Sequence, residues 1–183
     1  GIALNATNDV TIAGTITTTN GAALDVDIDA GNEFTLSSGG IDSDEDIFIT
    51  AGANDVNLAV GLTADVHIDI DSTSANVTQT AGDILAGTGN VTIDAASGST
   101  IALNGTIGLG AAVGGDVLLG QSVSGSIINL TGNITANGSI NVDGSVLISE
   151  NSITADADVN AIGDLALNVT GNITQTAGKL KAN

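Results

Sequence analysis

The feature of this sequence that most constrains its fold is a seven-residue phrase that occurs twice with one conservative change. The phrase reads Asn-Val-Thr-Gln-Thr-Ala-Gly at 76–82 and Asn-Ile-Thr-Gln-Thr-Ala-Gly at 172–178. A related phrase, Thr-Gly-Asn-Ile-Thr, occurs at 131–135 and again at 170–174. The two pairs of copies lie 96 and 39 residues apart, which suggests a unit of roughly 19 to 20 residues. Repetition of this kind indicates one small structural unit that is stacked many times.

A second pattern is an acidic or amide residue followed by residues that alternate between apolar and polar. Alternation with a period of two places the apolar side chains on one face of a strand and the polar ones on the other. Thr, Val and Ile dominate these segments, which disfavours helices. The pattern predicts short β-strands at 9–12, 46–49, 65–68, 90–93, 116–119 and 164–167.

Gly, Asn, Asp and Ser separate these segments, as at Asn20-Gly21 and Asn137-Gly138. Such residues tolerate tight corners, and Asn-Gly is also a strong hairpin signal, so an antiparallel sandwich is the alternative architecture. A sandwich of this length normally buries several Phe, Tyr or Trp side chains, whereas Phe34 and Phe48 are the only such residues in this sequence. We therefore predict an all-β fold, a parallel β-helix (β-solenoid) of short strands with Gly/Asn/Asp-rich corners, forming one domain over 1–183.

The composition agrees with a folded but very acidic chain. Of 183 residues, 42% are hydrophobic, Cys and Pro are absent, and the formal net charge is −19. A surface this acidic repels nucleic acid, and no apolar run reaches membrane-spanning length, so we expect neither nucleic acid binding nor membrane insertion. Because the chain opens at Gly1 inside the repeating pattern, we expect a processed or excised piece of a longer chain.

The phrases Thr-Gly-Asn-Ile-Thr at 131–135, Gly-Asn-Val-Thr-Ile at 89–93 and Gln-Thr-Ala-Gly at 79–82 resemble filamentous-haemagglutinin-type repeats of large bacterial exported adhesins. The resemblance implies a right-handed β-helical shaft, a secreted or cell-surface location and an adhesive or scaffold function. It also implies a receptor or glycan on a host or neighbouring cell as a partner. It transfers no catalytic residue, and we expect neither an enzyme nor a cofactor.

Two clusters of acids are candidates for a calcium site. The segment 25–29 places three carboxylates on one strand face at steps of about 7 Å, and the segment 42–46 carries a denser group. The EF-hand glycine and terminal Glu are missing from their required positions, and acidic faces exposed to water are the simpler interpretation. The candidate calcium ligands are Asp25, Asp27, Asp29, Asp42, Asp44 and Asp46.

Two further features are weaker candidates for a site. His67, the only histidine, is expected on the outer face of a strand beside Asp65 and Asp69, where no nucleophile accompanies it. The Thr-rich stretches 15–19 and 78–80 are candidates for an ice-binding array, which requires the same rank of Thr on every coil; β-propensity on an outer face explains them equally well.

Three functions follow from these features. The first is a structural or adhesive shaft segment of an exported cell-surface protein. The second is an extracellular filament subunit that stacks head to tail, because the two ends of an open solenoid expose unpaired strands. The third, placed last, is an ice-binding or polysaccharide-acting β-solenoid.

Overall fold

The chain folds into short strands throughout the part that the structure describes. The computed structural model describes residues 1–19, 24–121 and 126–144, and beyond them the segments 153–155, 159–161, 165–169, 173–175 and 179–182. These residues form 24 strands of two to five residues, with no helix among them. The all-β prediction is therefore confirmed.

The strands follow one another at short intervals along the chain. The first twelve are β1 (Ile2–Ala6), β2 (Val10–Ile12), β3 (Thr15–Thr17), β4 (Val26–Ala30), β5 (Phe34–Leu36), β6 (Gly40–Ser43), β7 (Ile47–Ala51), β8 (Val56–Leu58), β9 (Leu62–Ala64), β10 (Ile68–Ser72), β11 (Val77–Gln79) and β12 (Asp83–Ala86). The second twelve are β13 (Val91–Ala95), β14 (Thr100–Leu103), β15 (Thr106–Ile107), β16 (Val117–Leu119), β17 (Ile127–Leu130), β18 (Ile134–Ala136), β19 (Ile140–Gly144), β20 (Ile153–Ala155), β21 (Val159–Ala161), β22 (Leu165–Val169), β23 (Ile173–Gln175) and β24 (Leu180–Ala182).

Each of the first 21 strands pairs in parallel with the strand three places further along the chain. This pairing gives three eight-stranded sheets, which begin with β1, β2 and β3 and which we call the first, second and third sheets. The chain visits the three sheets in turn, and one strand from each makes a coil. This topology is that of a three-sided parallel β-solenoid, so the antiparallel sandwich considered as an alternative is wrong for the described strands.

The coils are longer and less equal than the repeat spacing suggested. Val26, Ile47 and Ile68 are register partners, which gives coils of 21 residues, whereas Val91 pairs with Val117, 26 residues further on. The expected unit of 19 to 20 residues is therefore wrong. The 39-residue spacing of Thr-Gly-Asn-Ile-Thr does not equal a whole number of coils, because its two copies lead into strands of different sheets. Ile134 opens a third-sheet strand, whereas Ile173 opens a second-sheet strand. The phrase therefore has no fixed place in the coil.

The core consists of flat ranks of aliphatic side chains that stack from coil to coil. The inward rank at the start of the first sheet contains Val26, Ile47, Ile68, Val91, Val117 and Ile140, all at most 1% exposed. Where the first sheet bends towards the second, the inward rank is small and contains Ala30, Ala51, Ser72 and Ala95. Small side chains there let the backbone turn without leaving a gap. The ring of Phe34 is fully buried in the second sheet.

This stacking predicts that whole coils can be removed but parts of coils cannot. Deleting residues 47–67 joins Asp46 to Ile68 and restores the register of Val26 with a first-sheet strand. We expect the shortened chain to keep its β-sheet circular dichroism and to melt cooperatively within about 5 °C of the parent chain. Deleting residues 47–55 removes only a first-sheet strand and the corner after it, and this control should not fold. Equal melting behaviour of the two deletions would contradict the coil boundaries.

Candidate functional site

A row of polar side chains runs along the corner that precedes the first sheet. Each member lies one residue before a first-sheet strand. At each step, a side-chain atom of one coil accepts a hydrogen bond from the backbone N–H of the next coil's member. We call this row the first corner ladder; its members are Asp25, Asp46, His67, Asn90, Asp116 and Ser139.

The geometry of this ladder is regular in its central part. The backbone nitrogen of His67 lies 2.8 Å from Oδ1 of Asp46, and that of Asn90 lies 2.9 Å from Nδ1 of His67. The backbone nitrogen of Asp116 lies 2.9 Å from Oδ1 of Asn90, and that of Ser139 lies 2.7 Å from Oδ1 of Asp116. Backbone N–H groups at a corner point away from the strand ladder and need other acceptors. From Asp25 to Asp116, the acid, amide or imidazole that precedes each first-sheet strand supplies that acceptor.

A second corner ladder precedes the second sheet. The backbone nitrogen of Asn76 lies 2.9 Å from Oδ1 of Asp55, and that of Thr100 lies 2.8 Å from Oδ1 of Asn76. At the start of the ladder, Oδ1 of Asp9 accepts from the backbone nitrogen of Glu33 at 3.3 Å. Asn76 opens the first copy of the repeated seven-residue phrase, so in this copy the asparagine joins consecutive coils at this corner.

Glycines precede the ladder residues in the later coils for a steric reason. A Cβ atom on Gly89 would lie 2.4 Å from Nδ1 of His67. On Gly115 it would lie 2.3 Å from Oδ1 of Asn90, and on Gly138 it would lie 2.2 Å from Oδ1 of Asp116. Each glycine thus lies directly over the ladder side chain of the previous coil. Any larger residue would displace that side chain from its hydrogen bond.

Gln79 is the buried polar residue of the repeated phrase. It occupies an inward position between Leu58 and Leu103, with no exposed surface. Its Nε2 donates to the carbonyl oxygens of Gly82 in the same coil and Thr106 in the next, both at 3.0 Å. Gln79 therefore links two coils from inside the core. The sequence patterns did not predict this role of Gln79.

The six calcium candidates are distributed over two sheets and a corner. Asp25 and Asp46 belong to the first corner ladder, and Asp27 and Asp29 lie on the outer face of β4. Asp29 accepts a hydrogen bond from Asn5 at 3.4 Å. Asp42 lies on the outer face of β6 in the third sheet, and Asp44 lies in the corner that follows. No three acidic or histidine side chains in the described ranges are gathered so as to hold a metal ion; calcium binding stays a prediction.

His67 is exposed, as expected, but it does not lie within a strand. The strand begins at Ile68, and residues 65–67 form the corner that follows β9. Val66 is only half-buried there, and its nitrogen donates to the carbonyl oxygen of Glu45 at 3.0 Å. The sequence Val-His-Ile alternates like a strand, which is why the expected start at Asp65 was wrong. The imidazole of His67 acts as a hydrogen-bond acceptor of the corner ladder.

Three carboxylates form an acidic patch on the outer face of the first sheet: Asp69, Asp71 and Asp94. Asp71 and Asp94 are register partners on β10 and β13. Asp94 is only 3% exposed, and Oδ1 of Asp71 is buried with no hydrogen-bond partner among the described residues. Burial raises the pKa of Asp69 and Asp71, and the charge of Asp94 raises both further. The simple interpretation of outward acids as solvated fails at this patch.

The two Thr-rich stretches lie on different faces. Thr15 and Thr17 are in the third sheet, whereas Thr78 is in the second. The outward rank of the second sheet contains Thr11, Thr35, Asn57, Thr78, Ala102 and Asn129. Since Asn57 and Ala102 interrupt the rank, the two stretches do not form one Thr array.

Comparison with protein-family models, with curated proteins and with solved structures found no match to this chain. Among the described residues, no helix is long and apolar enough to cross a membrane. The class that the structure defines is therefore the three-sided parallel β-solenoid, with corner ladders that join successive coils.

The acceptor role of His67 gives a matched pair of variants. His67→Leu removes the acceptor for the Asn90 N–H, and we expect it to lower the free energy of unfolding by about 0.5 to 1.5 kcal/mol. His67→Asn places in this coil the residue that performs the same role in the next coil, so it should retain most of that stability. Urea unfolding of both variants measures the difference. A Leu variant as stable as the parent chain would contradict the ladder's contribution.

The acidic patch predicts a pH-dependent gain in stability from Asp71→Asn. Because the folded-state pKa of Asp71 lies above its ordinary value of 3.8, its ionised form is disfavoured in the folded state. The penalty is complete at neutral pH and disappears as the pH falls through the raised pKa towards 3.8. Asp71→Asn should therefore raise the melting temperature at pH 7 by about 1 to 3 °C, with the gain shrinking near pH 4.

Asp27→Asn, on the same outer face, is the control for the change in net charge. It lies two coils away on β4 and changes the formal charge by the same amount as Asp71→Asn. Thermal melts of both variants across this pH range separate a local effect from a general reduction in repulsion. Equal gains for the two variants at every pH would show that the patch has no special role.

Proposed function

We propose that this chain is a structural shaft segment of an exported cell-surface protein, which holds adhesive parts of that protein away from the cell. The observation that supports this most strongly is the continuous parallel register of three sheets through eight strands each. At about 4.8 Å per coil, the stack spans roughly 34 Å from its first to its last strands. Adding or removing coils changes that length without changing the cross-section.

The corner ladders support the same function. Backbone hydrogen bonds join successive coils along each of the three sheets. The first corner ladder joins the same coils through side chains at one edge. From the second coil to the sixth, the interior is filled by side chains with little or no exposed surface. The role of the chain is mechanical. The resemblance to exported adhesin repeats supports a location at the cell surface.

Surface display tests the proposal. The chain is inserted in one, two or three tandem copies between a bacterial surface anchor and an epitope tag, and the height of the tag above the membrane is measured by super-resolution microscopy. We expect height to rise in proportion to copy number. A flexible polar linker of equal residue number is the control, since its reach grows only with the square root of its length. Heights that follow the linker curve would contradict a shaft.

The alternative function is a filament subunit, which one observation favours. In the first coil the inward side chains of Ile2, Leu4, Val10, Ile12 and Ile16 are only partly buried. A further coil of the same architecture would cover them, whether supplied by the same polypeptide or by another copy. Electron microscopy of the purified chain at low and high salt, with Lys179→Glu and Lys181→Glu as variants, distinguishes fibres from single particles. Fibres would favour the filament, and single particles would favour the shaft.

A further inference from the structure

Asn-Gly pairs are chemically unusual in proteins because glycine offers its backbone nitrogen to the preceding side chain without steric hindrance from a Cβ atom. The sequence contains three such pairs, at 20–21, 104–105 and 137–138. The first lies outside the described residues. The other two lie in corners of the solenoid, where both asparagines are exposed, Gly105 is buried and Gly138 is half-buried. The backbone nitrogens of these two glycines differ in their hydrogen bonding.

The pair Asn137-Gly138 is held by backbone hydrogen bonds between coils. The nitrogen of Gly138 donates to the carbonyl oxygen of Gly115 at 2.9 Å, and the nitrogen of Asn137 donates to that of Val113 at 2.8 Å. This hydrogen bond must break before the Gly138 nitrogen can attack the side-chain amide carbon of Asn137. The corner must therefore open before this asparagine can react.

The pair Asn104-Gly105 lies in the corner between β14 and β15. The Asn104 side chain is exposed, and its backbone nitrogen is fixed by a 2.8 Å hydrogen bond to the carbonyl oxygen of Gln79. The nitrogen of Gly105, in contrast, donates no hydrogen bond to any residue in the described part of the chain. The hydroxyl of Thr131 in the next coil donates to Oδ1 of Asn104 at 2.6 Å. That contact is placed to stabilise negative charge that develops on this oxygen.

We propose that Asn104 is a site of spontaneous deamidation, in which Gly105 supplies the nucleophile and Thr131 assists as a positioning residue. The nitrogen of Gly105 forms a bond to Cγ of Asn104 and gives up its proton. The bond from Cγ to the amide nitrogen breaks, and that nitrogen leaves as ammonia with the transferred proton. Water then opens the resulting succinimide at either carbonyl, which yields aspartate or isoaspartate.

The modification changes the corner in two ways. Both products add a negative charge next to Thr131, on a chain whose formal net charge is already −19. Isoaspartate also adds a carbon to the backbone path between the second and third sheets. In a solenoid, an added backbone atom shifts the register of the following strand, which here is β15. Deamidation at residue 104 therefore disturbs the strand register of the coil stack as the protein ages.

Peptide mapping by mass spectrometry tests this site directly. The folded chain and the chain unfolded in urea are incubated at pH 8 and 37 °C, and deamidation rates are measured at Asn104 and Asn137. We expect Asn104 to react about fivefold faster than Asn137 in the folded chain, since one hydrogen bond fewer must break, and the two rates to be similar in urea. Equal folded-state rates, or a faster Asn137, would overturn the proposal.

Two variants define the contributions of individual groups. Asn104→Gln should abolish the signal at this position, which verifies its assignment, because the longer side chain forms the cyclic intermediate far less readily. Thr131→Val should slow the reaction at Asn104 in the folded chain by about twofold or more and leave the rate in urea unchanged. A Thr131→Val rate equal to that of the parent chain would overturn the role given to Thr131. Circular dichroism verifies that both variants are folded.

Discussion

In-register parallel stacking is the constraint on which the rest of this structure depends. The backbone groups of a coil are paired by the coils on either side, so a given position must suit the same position in its neighbours. Inward ranks accept aliphatic side chains of similar size, as Val26, Ile47 and Ile68 show. Corner positions instead require an acceptor for an N–H group that no strand partner reaches, and Asp46 and Asn90 provide one.

Much of the strand pattern could be predicted from sequence because burial alternates with a period of two. The strands that begin at Val10, Ile47, Val91, Val117 and Leu165 start where an acid or amide precedes an alternating segment. Alternation failed around His67, because residues of a corner can alternate as regularly as those of a strand. What distinguishes the two is register against neighbouring coils. Register depends on coil length, and coil length varies here with corner insertions.

The acidic patch and the inward Gln79 could not be predicted for a related reason. Asp71 and Asp94 are distant in sequence and become neighbours only through the register of β10 with β13. Gln79 has apolar register partners on both sides. Its Nε2 donates to carbonyl groups of two different coils, while its Oε1 is buried with no hydrogen-bond partner among the described residues. Sequence patterns report which face a side chain occupies. They do not report which residue of the next coil lies beside it.

The first corner ladder also gives the solenoid a chemical direction. From Asp46 to Ser139, the side-chain acceptor belongs to the earlier coil and the backbone donor to the later one. A completed coil therefore presents a fixed acceptor to residues that follow it in the chain, and every described step of this row has the same polarity. At each of these steps the N-terminal coil thus supplies the side-chain acceptor, whereas the C-terminal coil supplies the backbone donor. The two ends of the same stack therefore differ in the hydrogen-bonding groups that they present to a neighbouring coil at this corner.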